Sequence, residues 1–441
     1  TGITPPVSAT REFLKSEAPD KRNKLVDRLL ESARHPTHLS NTWRRIMLPD
    51  GFASEMNGSA AGMQEWLRGR FAQNLRYDRM VGDFLTATGS SESGPALFYQ
   101  ALGAEPEKLA ASTARIFLGL QLECAQCHDH PFDDWTQHEF WGYAAFFAQV
   151  RGSQQGRSFA ISDSQSGEVK IPDEDEVVAP KFPKGDEPES STDGTRRLQL
   201  SIWMSSPNNP FLAKATVNRV WSLMFGKGLV NPVDNLIPEN DPIHPEVLSE
   251  LSEFFVKSNY NLRELYRTIA YTDTYQLTST SPTKEEGVKR REVFAQMHAK
   301  SMTAEQLYDS LQQALNMSAN VSSSNVVAQP QRQTFVTQLD TKVEDATEYA
   351  AGIQQTLQLM NGRELAAGTL NPNVGLLGAL AAPFFTSDDR IETLFLATLS
   401  RQPTEKEKSI FVSDGNDKLD STDQADLLWA LLNSAEFRFN H

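Results

Sequence analysis

Apolar residues recur at helical spacing over most of the chain. In KRNKLVDRLLESA, Leu25, Leu29 and Leu30 fall on one stripe; YDRMVGDFLTATG places Met80, Val81, Phe84 and Leu85 on another, before Gly89. Side chains three and four apart share a helix face, so both stretches predict amphipathic helices. PEKLAASTARIFLGLQLE predicts a further helix running directly into Cys124, and beyond it Phe140, Tyr143, Ala144 and Phe147 resume the helical spacing.

Between residues 151 and 197 the pattern breaks. GSQQGRS and KIPDEDEVVAPKFPKGDEPESSTDG are rich in Gly, Ser, Pro and acids. Short runs within this region, SFAIS, GEVKI and EVVAPKF, predict a small β ribbon, and KGDEPESSTDG predicts a linker. From residue 198 helices return, among them NNPFLAKATVNRVWSLMFGKG, HPEVLSELSEFFVKSN, TAEQLYDSLQQALN and ADLLWALLNSAEFRFN. Thr303 and Thr404 stand as N-caps ahead of acidic first turns. The polar stretch NMSANVSSSNVVAQPQRQTF, residues 316–335, predicts a long loop. The expected fold class is mainly α: a helical domain over 1–150, a linker with short strands or irregular structure over 151–197, and a second helical domain over 198–441.

Composition narrows the function. A chain of 441 residues is too long for one ordinary core and fits two or three domains. Mean hydropathy is −0.45 and no run of about 18 apolar residues occurs, so no membrane span is expected. The formal charge of −15 and pI near 5.1 set a field that repels nucleic acid. A basic partner or a neutral substrate fits better. The opening TGITPPVSATREFL lacks the charged, apolar and cleavage regions of a signal peptide, as expected of a mature or trimmed form.

The chain has only two cysteines, both in Cys124-Ala125-Gln126-Cys127-His128. This spacing lets two thiols add to the vinyl groups of haem c while the next imidazole reaches the iron. Two rivals remain. A single divalent metal would need His128, His130 or His138 to complete a ligand set, at irregular spacing. A disulfide would close a loop too small to stabilise much by chain entropy. In His128-Asp129-His130-Pro131-Phe132-Asp133-Asp134, the carboxylates either hold a turn by side-chain hydrogen bonds or support a cation. A further iron ligand has candidates in His244 and His38, each at a loop or helix start, while Met204, Met224, Met297 and Met360 sit in apolar helical patterns suited to core packing. An open sixth position would favour small-molecule chemistry, and a filled one electron transfer.

ARIFLGLQLECAQCHDHPFDDWTQHEFWGYAAFFAQV resembles the signature of the planctomycete cytochrome-like domain. SSPNNPFLAKATVNRVWSLMFGKGLVNPVDNL, HPEVLSELSEFF, TAEQLYDSLQQAL, LQLMNGREL, RIETLFLATLSRQPTEKE and LLWALLNSAEFRFNH resemble its C-terminal companion domain. Both are domains of unknown function. The resemblance implies an exported protein, periplasmic or secreted, whose relatives' genes often neighbour sulfatase-like and polysaccharide-related ones. It places the haem-type motif on Cys124, Cys127 and His128, and implies a redox partner protein or a polysaccharide-related substrate.

In the companion blocks, Asn218 and Arg219 either clamp neighbouring backbone or bind an anion or sugar, while Asp234, Asn235, Asp241 and His244 could line a cleft. Three functions are therefore distinguished. An exported c-type haem protein needs an apolar slot beside His128, with Phe140, Tyr143 and Phe147 as its cover. A haem-free binding or scaffolding protein has that slot filled by Trp135 or Trp141. A metal-dependent hydrolase needs His128, His130 and a carboxylate such as Asp133 converging on one point.

Overall fold

A computed structural model describes the chain except residues 50–51, 53–58, 91–93, 132, 156–157, 173, 189–193, 282, 318–329, 340–361, 412–418 and 441. The fold is mainly α, and among the described residues the strands form only small antiparallel sheets. Two compact units emerge, one made of Pro36–Met297 and one made of Thr1–His35 with His298–His441. The sequence segments ending at 150 and 197 are thus divisions of texture, and the packing divides elsewhere.

Pro36–Met297 is built around aromatic side chains. The helix Tyr77–Leu85 buries Met80, Val81, Phe84 and Leu85, the stripe expected from its spacing. Phe84 packs on Phe98 at 4.9 Å and on Phe117 at 5.4 Å. Across from it lies Arg196–Met204, and a Cβ on Gly82 would sit 2.8 Å from the Ser201 hydroxyl, so the helices approach at a residue without a side chain. Full burial of side chains this size stabilises by about 1.5–3 kcal/mol each, which is why the pattern decides the fold.

A three-stranded antiparallel sheet of β1 (Gly89–Ser90), β2 (Val150–Gln155) and β3 (Ser158–Asp163) has β3 in the middle. Ile161 pairs with Gly152 on one side and Gly89 on the other. Arg197 fixes this sheet to the helices. Its guanidinium is 1% exposed, meets Asp163 through two contacts of 2.8 and 2.6 Å, and donates to the carbonyls of Leu85 and Ala87. All of these partners share the unit, so the charge is paired and hydrogen-bonded as burial requires. The SFAIS, GEVKI and EVVAPKF runs contribute β3 and the pair Val169–Lys170 with Val177–Val178. Part of the expected 184–194 linker lies outside the described residues.

The second unit gathers Tyr308, Leu311, Phe335, Leu377, Leu394 and Leu428 in one core. Thr303 and Thr404 cap as expected, accepting from Gln306 N at 3.2 Å and Glu407 N at 3.3 Å. Two expectations need correction here. Residues 330–335 belong to the helix Pro330–Leu339, because Phe335 and Leu339, four apart, both reach this core and Arg332 pairs with Asp309 at 2.9 and 3.0 Å; the earlier part, 318–329, lies outside the described residues. Leu29 is exposed while Leu30 is buried, so the stripe of the helix Lys21–Glu31 is narrower than its spacing suggests.

Candidate cysteine and histidine site

The approach to the cysteines is not one helix. Pro106–Thr113 is α-helical, Ala114–Leu118 widens into a π turn, and Gly119 ends it at φ 69°. A Cβ at Gly119 would lie 2.6 Å from Leu236, whose N–H donates to the Gly119 carbonyl at 2.8 Å. Only glycine suits a left-handed residue under so close a neighbour. The helix expected to run into Cys124 therefore stops at Leu118, because Gly119 turns left-handed there and its carbonyl is taken by the Leu236 N–H.

A 3₁₀ turn, Glu123–Gln126, then carries the motif. Ala125 is fully buried, whereas Cys124 and Cys127 are both exposed and both free thiols. The turn ends at Gln126 and Cys127 follows as its C-cap, so the two exposed cysteines flank the buried Ala125 and the Gln126 carbonyl. The inner face is backed by Trp141 and Gln137, whose side-chain N–H groups both donate to the Gln126 carbonyl at 3.1 Å.

His128 is exposed, and its Nδ1 lies 2.6 Å from the carbonyl oxygen of Asp129. That contact favours the proton on Nδ1 and leaves Nε2 with a lone pair and no hydrogen bond among the described residues. The Asp129 carboxylate accepts from Gln137 N at 2.8 Å, and His130 N donates to the Trp135 carbonyl at 2.7 Å. Asp133 accepts from Asp134 N at 2.7 Å, the hydrogen-bonded turn. Thr136 and Glu139 then cap the helix Gln137–Ala144 reciprocally. Over this loop lies Lys184, 4.4 Å from the Trp135 ring and donating to the Asp134 carbonyl at 2.7 Å.

The remaining candidates are dispersed. Among the described residues His138 meets Glu176, at 4.0 Å, between two exposed side chains. His244 starts the helix Pro245–Lys257, with Nε2 3.2 Å from the Val293 carbonyl. Among the described residues no three His, Cys, Asp or Glu side chains come together as a metal-ion site. Phe140, Tyr143 and Phe147 point into the core, where the Tyr143 hydroxyl meets Thr113 at 3.0 Å and burial raises its pKa. Met204, Met224 and Met297 are buried, and Met360 lies outside the described residues.

Residues from the companion blocks support the motif from below. Asn218 is a backbone clamp, donating to the carbonyls of Val230 and Val233 and accepting from Val230 N. Arg219 donates to the Arg115 carbonyl in the π turn at 2.9 Å; its burial lowers its pKa, which the neighbouring Tyr77 and Asp234 oppose. Asp234 accepts from Gln121 at 2.8 Å and pairs with Arg115 at 3.3 Å, and Arg115 also pairs with Glu123 at 2.8 Å. Asp234 had a signal in its polar, Pro-rich loop; Arg115 and Gln121 had none, since each reads as a helix residue until its distant partner is known.

The donor set suits covalent haem: two free, exposed thiols beside an imidazole with Nε2 presented. Its surroundings supply less, because Trp141 and Trp135 fill the inner side of the turn and loop. Residues 1–152 match a family model described as PSCyt2, protein of unknown function (DUF1549), and residues 196–351 match PSD1, protein of unknown function (DUF1553). No curated protein and no solved structure matches the chain. In that order the two matches show a chain that carries the planctomycete cytochrome-like domain followed by its companion domain.

Proposed function

We propose that this chain is an exported c-type haem protein with a redox or electron-transfer role, linked through its family to polysaccharide use. The observation that carries the reading is the outward-facing trio of Cys124, Cys127 and His128, with Nδ1 of the imidazole held by the Asp129 carbonyl. Cys124 and Cys127 would form the thioether bonds and His128 Nε2 would ligate the iron. Haem bound there supplies a one-electron change at its iron.

The chain's own residues orient and expose this group. The Asp129 carbonyl fixes the tautomer and makes the imidazole a better donor. The Gln126 carbonyl, which accepts from Trp141 and Gln137, anchors the backbone between the two cysteines. The Phe140, Tyr143 and Phe147 stripe is committed to the interior, so it gives no water-excluding wall on the outer face of the turn. An exposed group is open to direct approach by a redox partner, and exposure is among the levers that set its potential.

Trp135 and Trp141, both buried where haem would need an apolar slot, favour a second reading, a haem-free binding or scaffolding protein whose Cys124 and Cys127 form a disulfide or hold a metal. A pyridine haemochrome spectrum with intact mass, on protein exported from a host with cytochrome c maturation, separates the two. A c-type spectrum with one covalent haem per chain is expected. A colourless protein lighter by two hydrogens would replace the first reading with the second.

A further inference from the structure

We propose that Asp234, acting through Arg115 and Glu123, is a positioning residue for the cysteine turn, so that the companion segment completes the site carried by the cytochrome-like segment. This goes beyond the haem reading and holds whichever cofactor the thiols take.

The first observation is the side-chain bridge. Both oxygens of Asp234 are engaged from the approach to Cys124: Oδ1 by Gln121 at 2.8 Å and Oδ2 by Arg115 at 3.3 Å. Arg115 also holds Glu123, the residue that begins the turn and precedes Cys124. The second is the backbone: the Leu236 N–H bonds the Gly119 carbonyl where the π turn reverses. The third is Arg219, whose Nη2 donates to the Arg115 carbonyl and ties the π turn to the helix Leu212–Phe225.

Magnitude decides what such a network does. Arg115 and Glu123 are 48% and 40% exposed, and isolated pairs at that exposure add little stability. Linked through the shared Arg115 guanidinium, the Asp234 and Glu123 carboxylates instead restrict where the turn can sit, an effect on geometry more than on folding. The consequence falls on the two sulfurs, because the turn is short and its first residue is the one held.

The test uses the reduced full-length protein without haem, so its failure and that of the haem reading are separate. Alkylation by iodoacetamide is followed at Cys124 and Cys127 individually by peptide mass spectrometry. Asp234→Asn and Arg115→Gln are each expected to change the ratio of the two rates by about threefold or more, in the same direction, as coupled neighbours do. The double variant should exceed neither single one, and Asp234→Glu should restore the ratio. Tyr99→Phe, which removes the hydroxyl bond to the Leu85 carbonyl elsewhere in the same unit, is the stability control. An unchanged ratio in well-folded Asp234→Asn overturns the proposal, as does an equal shift in Tyr99→Phe at matched loss of Tm. Should Asp234→Asn fail to fold, Glu123→Gln, on a more exposed side chain, is expected to shift the ratio in the same direction, and an unchanged ratio there is equally fatal.

Discussion

His128 illustrates how one contact assigns a chemical role. The Asp129 carbonyl, 2.6 Å from Nδ1, accepts a hydrogen bond from the Nδ1–H, and Nε2 is left to act as a ligand. His128→Ala in haem-loaded protein is therefore expected to leave the haem covalently attached through both sulfurs while shifting the Soret band; an unchanged spectrum would remove His128 from the iron. Lys300 carries a different consequence. Burial holds its ammonium at about 8, below the ordinary 10.5. Below pH 8 the folded and unfolded chains both bind this proton and the burial cost stands in full. Between about 8 and 10.5 the folded lysine loses its proton while the unfolded one keeps it, so stability rises with pH across that window. Lys300→Met should abolish this rise and add up to about 3 kcal/mol at neutral pH. Urea denaturation at neutral pH and near pH 10 checks both, and equal pH slopes in the two proteins would show that Lys300 is not the source.

At the scale of elements, the break at Gly119 matters most, because it turns a continuing helix into the base of the cysteine turn. Gly119→Ala is expected to destabilise by about 1–3 kcal/mol, combining a positive φ with contact on Leu236. An unchanged urea midpoint would mean that the Leu236 loop yields freely. The sequence showed helices where one face is apolar, as in Tyr77–Leu85, and showed caps such as Thr303 because a cap is a local event. It hid the stop before Cys124, since the cause is a loop over a hundred residues downstream: Gln121 and Asp234 are 113 residues apart. For the same reason Pro330–Leu339 reads as loop, its composition being polar apart from the few side chains that meet the core of Tyr308 and Leu394. The motif itself was fully legible. Which way it faces was not, because Phe140, Tyr143 and Phe147 could serve equally as cofactor cover or as core until Thr113 and Phe146 are seen against them.

For the molecule as a whole, the family boundaries and the folding boundaries do not coincide. The match over residues 1–152 stops inside β2, whose partner strand β3 supplies Asp163, and the match over 196–351 begins one residue before Arg197, which pairs with that carboxylate. Phe182 is stacked between Phe146 and Trp203, at 4.9 and 5.1 Å, so the intervening segment is also part of the core. The first residues of the chain pack with the last third instead: Thr4 N donates to the Ser310 hydroxyl at 3.1 Å, and Arg11 reaches Glu392 at 3.2 Å. A chain cut to residues 36–297 is accordingly expected to unfold cooperatively and to keep the relative thiol reactivity of the full chain. A chain cut to 1–152 leaves the Leu85 and Ala87 carbonyls without their guanidinium and the Phe146 ring without its stack, each a buried group deprived of its partner. It should bind a hydrophobic dye and melt without a sharp transition. Calorimetry of the two fragments decides between them. A cooperative transition in 1–152 would make the cytochrome-like segment an independent folding unit, and the companion segment's contribution to the cysteine turn would then be an addition to a site already formed.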